Sequence, residues 1–335
     1  MKALVYTGVK ELSYMDRPMP QPQDDEVLVR VMASGICGSD MHAYLGHDAR
    51  RPAPLTLGHE AAGVVVGGPD DGRRVTINPL VACQACGLCD TGRENLCARR
   101  QIISMPPRQG AFADYVTMPP RNLITVPDHT PLTHAALAEP IACGWHGVRL
   151  GRGVLTCDLS SARTVVIGGG AIGVGAALSL AAQGVGDITL IEPNETRRAH
   201  LADIAGFEVC GPDEPAMPAE GSADIVIDGV GFATTRASAS TIARAGGVIV
   251  HIGLGEATGG LDIRRMTLQE ITFIGTYTYT ARDFAETAAA IFDGRLGKLD
   301  WIETRPLSKG HRAFKDIRAG HVPAPKVILT PEHDA

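Results

Sequence analysis

The 335-residue sequence has neither a surplus of basic residues nor a long apolar run. Its 31 Lys and Arg oppose 37 Asp and Glu, a formal charge of −6, whereas binding to nucleic acid or an anionic membrane usually requires a basic surplus. The most apolar segment, 171–182, contains glycines and is shorter than the roughly 20 residues that span a bilayer. We therefore expect no nucleic-acid partner and no membrane span. The first residues lack the pattern of a signal peptide, so we expect a cytoplasmic protein.

Low-complexity tracts and repeats of fixed period are absent as well, which indicates an ordinary folded protein. Because single hydrophobic cores stop growing near roughly 250 to 300 residues, the length of 335 residues predicts two domains. The eight cysteines are enough for disulfides, but half of them lie between Cys83 and Cys97. Such crowding is typical of a metal site in a reducing compartment.

The chain changes character near residue 131. Before this point, short β runs are broken by Gly and Pro, which predicts an all-β region. From about residue 161 onward, strands and helices alternate, which predicts an α/β fold with a parallel, doubly wound sheet. The predicted strands are 26–32, 61–66, 74–77, 112–116, 123–126, 164–167, 188–191, 225–228, 248–252 and 271–275. Predicted helices begin at Ala171 and Arg197, a third ends at Arg244, and the last covers 281–292.

A glycine-rich turn joins the first strand of the α/β region to its first helix. Gly168, Gly170 and Gly173 match G-x-G-x-x-G, in which the glycines allow a tight turn, close approach to a pyrophosphate and close helix packing. Glu192 ends the next strand, where a carboxylate binds the ribose hydroxyls of NAD and repels the 2′-phosphate of NADP. The alternative is an ordinary β–α turn with a solvated glutamate. The predicted cofactor-binding residues are Gly168, Gly170, Ala171, Ile172, Gly173, Glu192 and Arg197.

Four cysteines form the pattern C-x2-C-x2-C-x7-C, namely Cys83, Cys86, Cys89 and Cys97. This spacing lets four thiolates converge tetrahedrally on zinc in a closed shell, which predicts a structural site without room for substrate. An iron–sulfur cluster is the alternative, because C-x2-C-x2-C also begins ferredoxin motifs. In those motifs the fourth cysteine follows more closely and precedes a proline, whereas Cys97 precedes Ala98. Zinc is therefore favoured.

A second group of potential ligands is dispersed along the chain. Cys37 lies in SGICGSDMH, His59 and Glu60 lie in LGHEAAGVV, and Glu139 lies in LAEPIAC. Each is weak evidence alone, because a lone cysteine or histidine is more often an ordinary buried residue, and Glu139 is also placed to cap a helix. Their significance depends on their occurring together.

Taken together, these segments resemble the zinc-dependent medium-chain dehydrogenases, in particular their sorbitol/polyol and threonine dehydrogenase branch. The motifs occur in the family's order along nearly the whole chain, as CGSDMH, GHEAAGVV, the four-cysteine loop with NLC, AEPIACGWH, GGGAIG and KVIL. The resemblance implies a GroES-like β-rich catalytic domain and a doubly wound Rossmann domain. The expected division is 1–143 with 277–335 for the catalytic domain, including a zinc lobe at about 80–100, and 144–276 for the Rossmann domain.

The resemblance also implies roles for single residues. Cys37 and His59 match the first two ligands of a catalytic zinc, and Glu139 matches the third. Glu60 lies beside the metal, and both Glu60 and Cys143 are alternatives for the third ligand.

Ser39 and His42 match the family's proton relay, so the expected catalytic residues are Ser39, His42 and Glu60. Substrate contacts are expected in segments that line the cleft of similar enzymes. The candidates there, whose side chains either contact a polar substrate or simply pack, are Tyr44, His47, Tyr277 and Tyr279.

We therefore predict a zinc- and NAD-dependent alcohol dehydrogenase that binds two zinc ions per chain and oxidises a secondary hydroxyl of a polyol, sugar alcohol or amino alcohol. The resemblance implies a homo-oligomer, either a tetramer or a dimer. Two alternatives stay open: a non-enzymatic NAD-binding regulator with structural zinc only, and a zinc-free quinone or enoyl reductase of the same superfamily. Metal content separates them, because the three classes would bind two, one and no zinc ions.

Overall fold

The computed structural model describes residues 1–202 and 206–333. The chain forms two compact units. Unit 1 contains Met1–Glu139, Thr280–Asp293 and Ile302–Ala335, and unit 2 contains Pro140–Tyr279 and Gly294–Trp301. Segments 140–143, 277–279 and 294–301 thus belong to unit 2, whereas the sequence-based division assigns them to the catalytic domain. Within the described ranges, no helix has both the length and the apolar character needed to cross a membrane.

The described residues form strands β1 to β18 and helices α1 to α10. The strands are β1 Lys2–Gly8, β2 Glu11–Asp16, β3 Val27–Gly35, β4 Leu55–Thr56, β5 Glu60–Val66, β6 Arg74–Ile77, β7 Leu80–Val81, β8 Gln101–Ile102, β9 Tyr115–Met118, β10 Leu123–Thr125, β11 Arg163–Ile167, β12 Asp187–Ile191, β13 Glu208–Cys210, β14 Ala223–Asp228, β15 Ala243–His251, β16 Thr272–Gly275, β17 Ile302–Pro306 and β18 Lys326–Thr330. The helices are α1 Gly38–Tyr44, α2 Gly87–Asp90, α3 Leu132–Ala135, α4 Ala138–Arg152, α5 Ala171–Ala182, α6 Glu195–Ala202, α7 Ala233–Ile242, α8 Ile263–Leu268, α9 Ala281–Phe292 and α10 Gly310–Arg318.

Unit 1 is built around a seven-stranded sheet with the order β10-β6-β5-β3-β18-β17, in which β9 also pairs with β3. Strand β3 buries Val29, Val31 and Ala33, the two-residue spacing of a strand that packs one face on a core. The antiparallel register pairs Gly35, at the end of β3, with Glu60, at the start of β5. The loop that follows β3 and the loop that precedes β5 therefore lie side by side.

A small lobe projects between β7 and β8, which pair as a two-stranded sheet. Of residues 83–100, only Asn95 and Cys97 are buried. The lobe thus has almost no hydrophobic core of its own and needs another source of stability.

Unit 2 contains a six-stranded parallel sheet with the order β13-β12-β11-β14-β15-β16. This is the strand order of the doubly wound dinucleotide-binding fold, so the predicted fold of this region is confirmed. The order reverses between β11 and β14, and the turn after β11 is built from glycines. Gly168 has a φ of +102°, and a Cβ on Gly173 would lie 1.7 Å from the Gly168 carbonyl oxygen. Larger residues would not fit this turn.

Candidate functional site

Three potential metal donors lie together in unit 1. One donor atom each from Cys37, His59 and Glu60 lies within 4.8 Å of the other two. Cys37 precedes α1 after β3, Glu60 is the first residue of β5 and His59 directly precedes it, so the pairing of Gly35 with Glu60 brings the three residues together. A Cβ on Gly35 would lie 2.0 Å from Glu60 Oε2. Glycine at this position therefore leaves the space that the carboxylate occupies.

Both ring nitrogens of His59 have polar neighbours. Nε2 lies 3.5 Å from Ser39 Oγ, while Nδ1 lies 3.4 Å from Asp40 Oδ1 and 3.4 Å from Ser104 Oγ. Asp40 is fully buried, and its other oxygen accepts a hydrogen bond from the Cys37 N–H at 3.0 Å. Asp40 thus contacts both the ring of His59 and the backbone of Cys37. A carboxylate in this position fixes the ring orientation of a histidine that binds a metal.

Asp40 is held in its ionised form. Burial by itself raises the pKa of this carboxyl, but the charge and hydrogen bond of His59, together with the charge of Arg51, hold its pKa below the ordinary value. Asp40 can therefore accept a hydrogen bond from the ring at neutral pH.

Glu60 forms a buried ion pair with Lys326, the first residue of β18. Lys326 Nζ lies 2.6 Å from Glu60 Oε1 and donates to the Ile36 carbonyl oxygen at 2.9 Å. Burial by itself lowers the pKa of Lys326, but the charges of Glu60 and Cys37 hold it above the ordinary value. Glu60 Oε2 is buried and has no hydrogen-bond partner among the described residues. An unsatisfied buried carboxylate oxygen next to a thiol and an imidazole fits a cation.

Glu139 lies in the first turn of α4 and is 6% exposed. Its charge acts on Lys326, which places it in the electrostatic neighbourhood of the site. Within the described part of the chain, however, neither Glu139 nor Cys143 belongs to the group formed by Cys37 and its two neighbours.

The residues expected to relay protons or contact substrate differ in their exposure to solvent. His42 is exposed on α1, and its ring centroid lies 6.4 Å from that of His47. Tyr44 is 3% exposed and packs on Phe314 at 5.2 Å between ring centroids, and Tyr279 is fully buried. The structure therefore assigns these two tyrosines to the core, whereas Tyr277 is partly exposed.

The cysteines of the lobe converge as a second donor group, formed by Cys83, Cys86, Cys89 and Cys97. In four of the pairs that they form, the sulfur atoms lie 3.4 to 3.9 Å apart. Zinc–sulfur bonds of about 2.3 Å in tetrahedral geometry separate the sulfur atoms by about 3.8 Å. The group therefore fits a zinc ion with a closed shell.

The glycine turn of unit 2 lies next to Glu192. Helix α5 begins at Ala171, so Gly170, Ala171, Ile172 and Gly173 form its N-terminal end. The two carboxylate oxygens of Glu192 accept hydrogen bonds from the Gly169 and Asn194 N–H groups, both at 2.8 Å. Arg197 Nη1 lies 3.6 Å from Glu192 Oε2. A helix N-terminus beside a carboxylate at the end of the second strand can bind a pyrophosphate and a ribose.

Three residues around the first donor group could not be predicted from the sequence motifs. Asp40 and Lys326 lie inside the segments CGSDMH and KVIL, but nothing in those segments indicates that they contact His59 and Glu60. Ser104 carried no signal at all.

Two family models match the chain. The model described as alcohol dehydrogenase GroES-like domain matches residues 23–128, and the model described as zinc-binding dehydrogenase matches residues 171–293.

Named proteins are similar over most of the chain. L-galactonate-5-dehydrogenase of Escherichia coli (strain K12) is 31% identical over 309 residues, which are 88% of this chain and 88% of that protein. The 2-dehydro-3-deoxy-L-galactonate 5-dehydrogenase of Pseudoalteromonas atlantica is 30% identical over 333 residues, 95% of either chain. Among solved structures, acetophenone reductase from Geotrichum candidum in complex with NAD has a TM-score of 0.86 at 25% identity and covers 98% of this chain and 96% of that one.

Proposed function

Because this chain belongs to the family of zinc-binding, medium-chain alcohol dehydrogenases, we propose that it oxidises a secondary hydroxyl of a polyhydroxylated substrate with NAD. The observation that carries the proposal is the group of Cys37, His59 and Glu60 donors with the Ser39 hydroxyl beside the histidine. When bound, zinc supplies Lewis acidity at the hydroxyl and NAD accepts the hydride.

Cys37 and His59 would hold the catalytic zinc together with a carboxylate. A thiolate, an imidazole and one carboxylate leave the open fourth position that a catalytic zinc needs. The unpartnered Glu60 Oε2 supports Glu60 as the third ligand. Glu139, the third ligand that the motif predicts, stays a prediction as the alternative to Glu60.

The charges of the site support a divalent ion. A metal-bound thiol is deprotonated, so the Cys37 thiolate and the carboxylates of Glu60 and Asp40 outnumber the single ammonium group of Lys326. Because an unbalanced buried charge is strongly destabilising, this excess of negative charge favours a divalent cation beside the buried lysine.

Ser39 and His42 would carry the proton that alcohol oxidation releases beside the hydride. Ser39 Oγ lies 3.5 Å from His59 Nε2 and so borders the space that this nitrogen faces. A serine hydroxyl can accept the proton of the substrate while it donates its own proton to the next group. His42 is exposed on the same helix, where its imidazole can transfer a proton to water.

Unit 2 would bind NAD through Gly168, Gly170 and Gly173, with Glu192 on the adenosine ribose. The ion pair of Arg197 with Glu192 supports NAD over NADP, because the carboxylate offsets the cation that a 2′-phosphate would need.

The four-cysteine lobe would hold a second, structural zinc ion, because four thiolates close the shell and the lobe lacks a core. The crowding of four of the eight cysteines into this lobe supports a reducing compartment such as the cytoplasm. The family resemblance supports a homo-oligomer, tetramer or dimer, that light scattering would distinguish from a monomer of 35.2 kDa.

The proposed substrate class rests on the named relatives, two of which are dehydrogenases of galactonate-type sugar acids. The test is a screen of polyols, sugar acids, threonine-like amino alcohols and alkanols, each with NAD and with NADP, followed by NADH or NADPH absorbance. The proposal expects the highest kcat/KM for a polyhydroxylated compound with NAD. It fails if unsubstituted alkanols give the highest values and no polyhydroxylated compound reacts.

A further inference from the structure

Arg51 is a buried cation in the loop between α1 and β4. Its side chain is 2% exposed. Nε donates to the Ser104 carbonyl oxygen at 3.0 Å, and Nη1 donates to the Ser39 carbonyl oxygen at 3.4 Å and to Asp48 Oδ2 at 2.7 Å. Because a guanidinium is planar and donates in fixed directions, these bonds hold three separate segments at set distances from one another.

The two serines that Arg51 holds lie on opposite sides of His59. Ser39 Oγ lies 3.5 Å from Nε2, and Ser104 Oγ lies 3.4 Å from Nδ1. Ser104 is fully buried and has a φ of +69°. A serine adopts this left-handed conformation at a cost, so it persists only where neighbouring groups hold it. The bond from Arg51 to the Ser104 carbonyl oxygen is such a restraint.

We propose that Arg51 is a positioning residue, which holds the backbone of Ser39 and Ser104 so that Ser104 Oγ fixes the ring of His59 from the Nδ1 side, while Nε2 stays free for the metal next to Ser39. The inference rests on the proposed function, because it treats His59 as a ligand of the catalytic zinc. Outer residues that orient a metal ligand typically change metal affinity or activity by about 10- to 100-fold when they are replaced. Arg51 belongs to this class, although it touches His59 only through the serines.

The test compares the same change at two adjacent arginines. Arg51→Lys keeps the charge and the aliphatic stem but replaces the planar fork by a single ammonium group. Arg50→Lys is the matched control, because Arg50 pairs with the same Asp48 but its side chain is 61% exposed. The readouts are the rate at which a chelator removes the catalytic-site metal, the visible spectrum of Co²⁺ exchanged into that site, and kcat and KM separately.

We expect Arg51→Lys to release the metal about 10- to 100-fold faster, to alter the Co²⁺ spectrum and to lower kcat more than it raises KM. Arg50→Lys should match the wild type in all three. Ser104→Ala should act in the same direction as Arg51→Lys, and the double variant should lose less than the product of the two single losses, because both changes act on one contact.

Equal metal release from Arg51→Lys and Arg50→Lys overturns the inference, and so does a fully multiplicative loss in the double variant. If Arg51→Lys does not fold, Ser104→Ala and Ser104→Gly decide, since both lack the hydroxyl and glycine adopts the positive φ freely. Metal release at the wild-type rate from both would overturn the positioning role. A wild-type protein that binds metal only in the cysteine lobe would overturn the proposed function itself. If the wild type binds two metal ions but Arg51→Lys has no effect, only the positioning role of Arg51 is overturned.

Discussion

The two donor groups of unit 1 are assembled in opposite ways. The cysteine lobe takes all its donors from the single segment 83–97, whereas the other group joins Cys37 to His59 and Glu60 through the register of β3 and β5. Lys326, at the other end of the chain, completes the second group. The lobe can therefore form as soon as its metal binds, but the Cys37 group exists only when the whole sheet has folded.

The difference in donors leads to a difference in role. Four sulfur atoms close the shell of a zinc ion and leave the metal with a purely structural task. A sulfur, a nitrogen and an oxygen leave a position open for chemistry, and the ion then depends on surrounding residues such as Asp40 for its geometry. Metal in the lobe should thus support folding, and metal at the Cys37 group should depend on folding.

Cys37→Ser should have the largest effect on activity. Loss of the catalytic zinc removes several kcal/mol of charge stabilisation, which lowers kcat/KM by roughly 10³-fold or more. The thermal unfolding midpoint should stay close to that of the wild type, because the lobe keeps its metal. Cys143→Ser is the matched control, since Cys143 lies outside the donor group. Equal loss of activity in both variants, or normal turnover in Cys37→Ser, would refute this assignment.

Cys97→Ser should act on stability before it acts on chemistry. Zinc binds four-cysteine sites with about 10 to 16 kcal/mol, and part of this free energy stabilises the fold. We expect the free energy of unfolding in denaturant to fall by several kcal/mol, while the folded fraction retains its kcat. An unchanged unfolding curve together with full metal content would contradict a structural role for the lobe.

Asp40→Asn should weaken only the Cys37 group. The amide keeps the size of the side chain but not the charge that the His59 ring faces, so zinc affinity or kcat should fall by about 10- to 100-fold. Chelator competition and steady-state kinetics measure both. A variant with wild-type zinc retention would show that Asp40 merely caps α1.

The smallest effect distinguishes the two acids near the metal. Glu60→Gln should release the catalytic zinc roughly tenfold more readily than Glu139→Gln, because Glu60 belongs to the donor group and its Oε2 has no hydrogen-bond partner among the described residues. The reverse order would restore Glu139 as the direct ligand.

Local patterns predicted most of the fold and half of the site. The cysteine lobe, the glycine turn and the parallel sheet follow from residues close together in sequence, and they are all found in the structure. The predicted strand 112–116 is instead Tyr115–Met118, because Phe112 is held by a bond from its N–H to the Leu57 carbonyl oxygen outside the strand.

Long-range contacts were beyond prediction from a single sequence. Lys326 is 266 residues away from its partner Glu60, and only the antiparallel pairing of β18 with β3 brings them together. Of the two alternatives left open for Tyr44, substrate contact or packing, the structure favours packing, because its ring lies against Phe314 from α10, a neighbour that only the tertiary fold supplies.

Metal analysis tests whether one chain carries two zinc ions, one that supports folding and one that depends on it. We predict two zinc ions per wild-type chain after dialysis, and one in Cys37→Ser, whose remaining ion resists the chelator as long as the protein stays folded. A wild-type protein with a single zinc ion, unchanged in Cys37→Ser, would contradict the account.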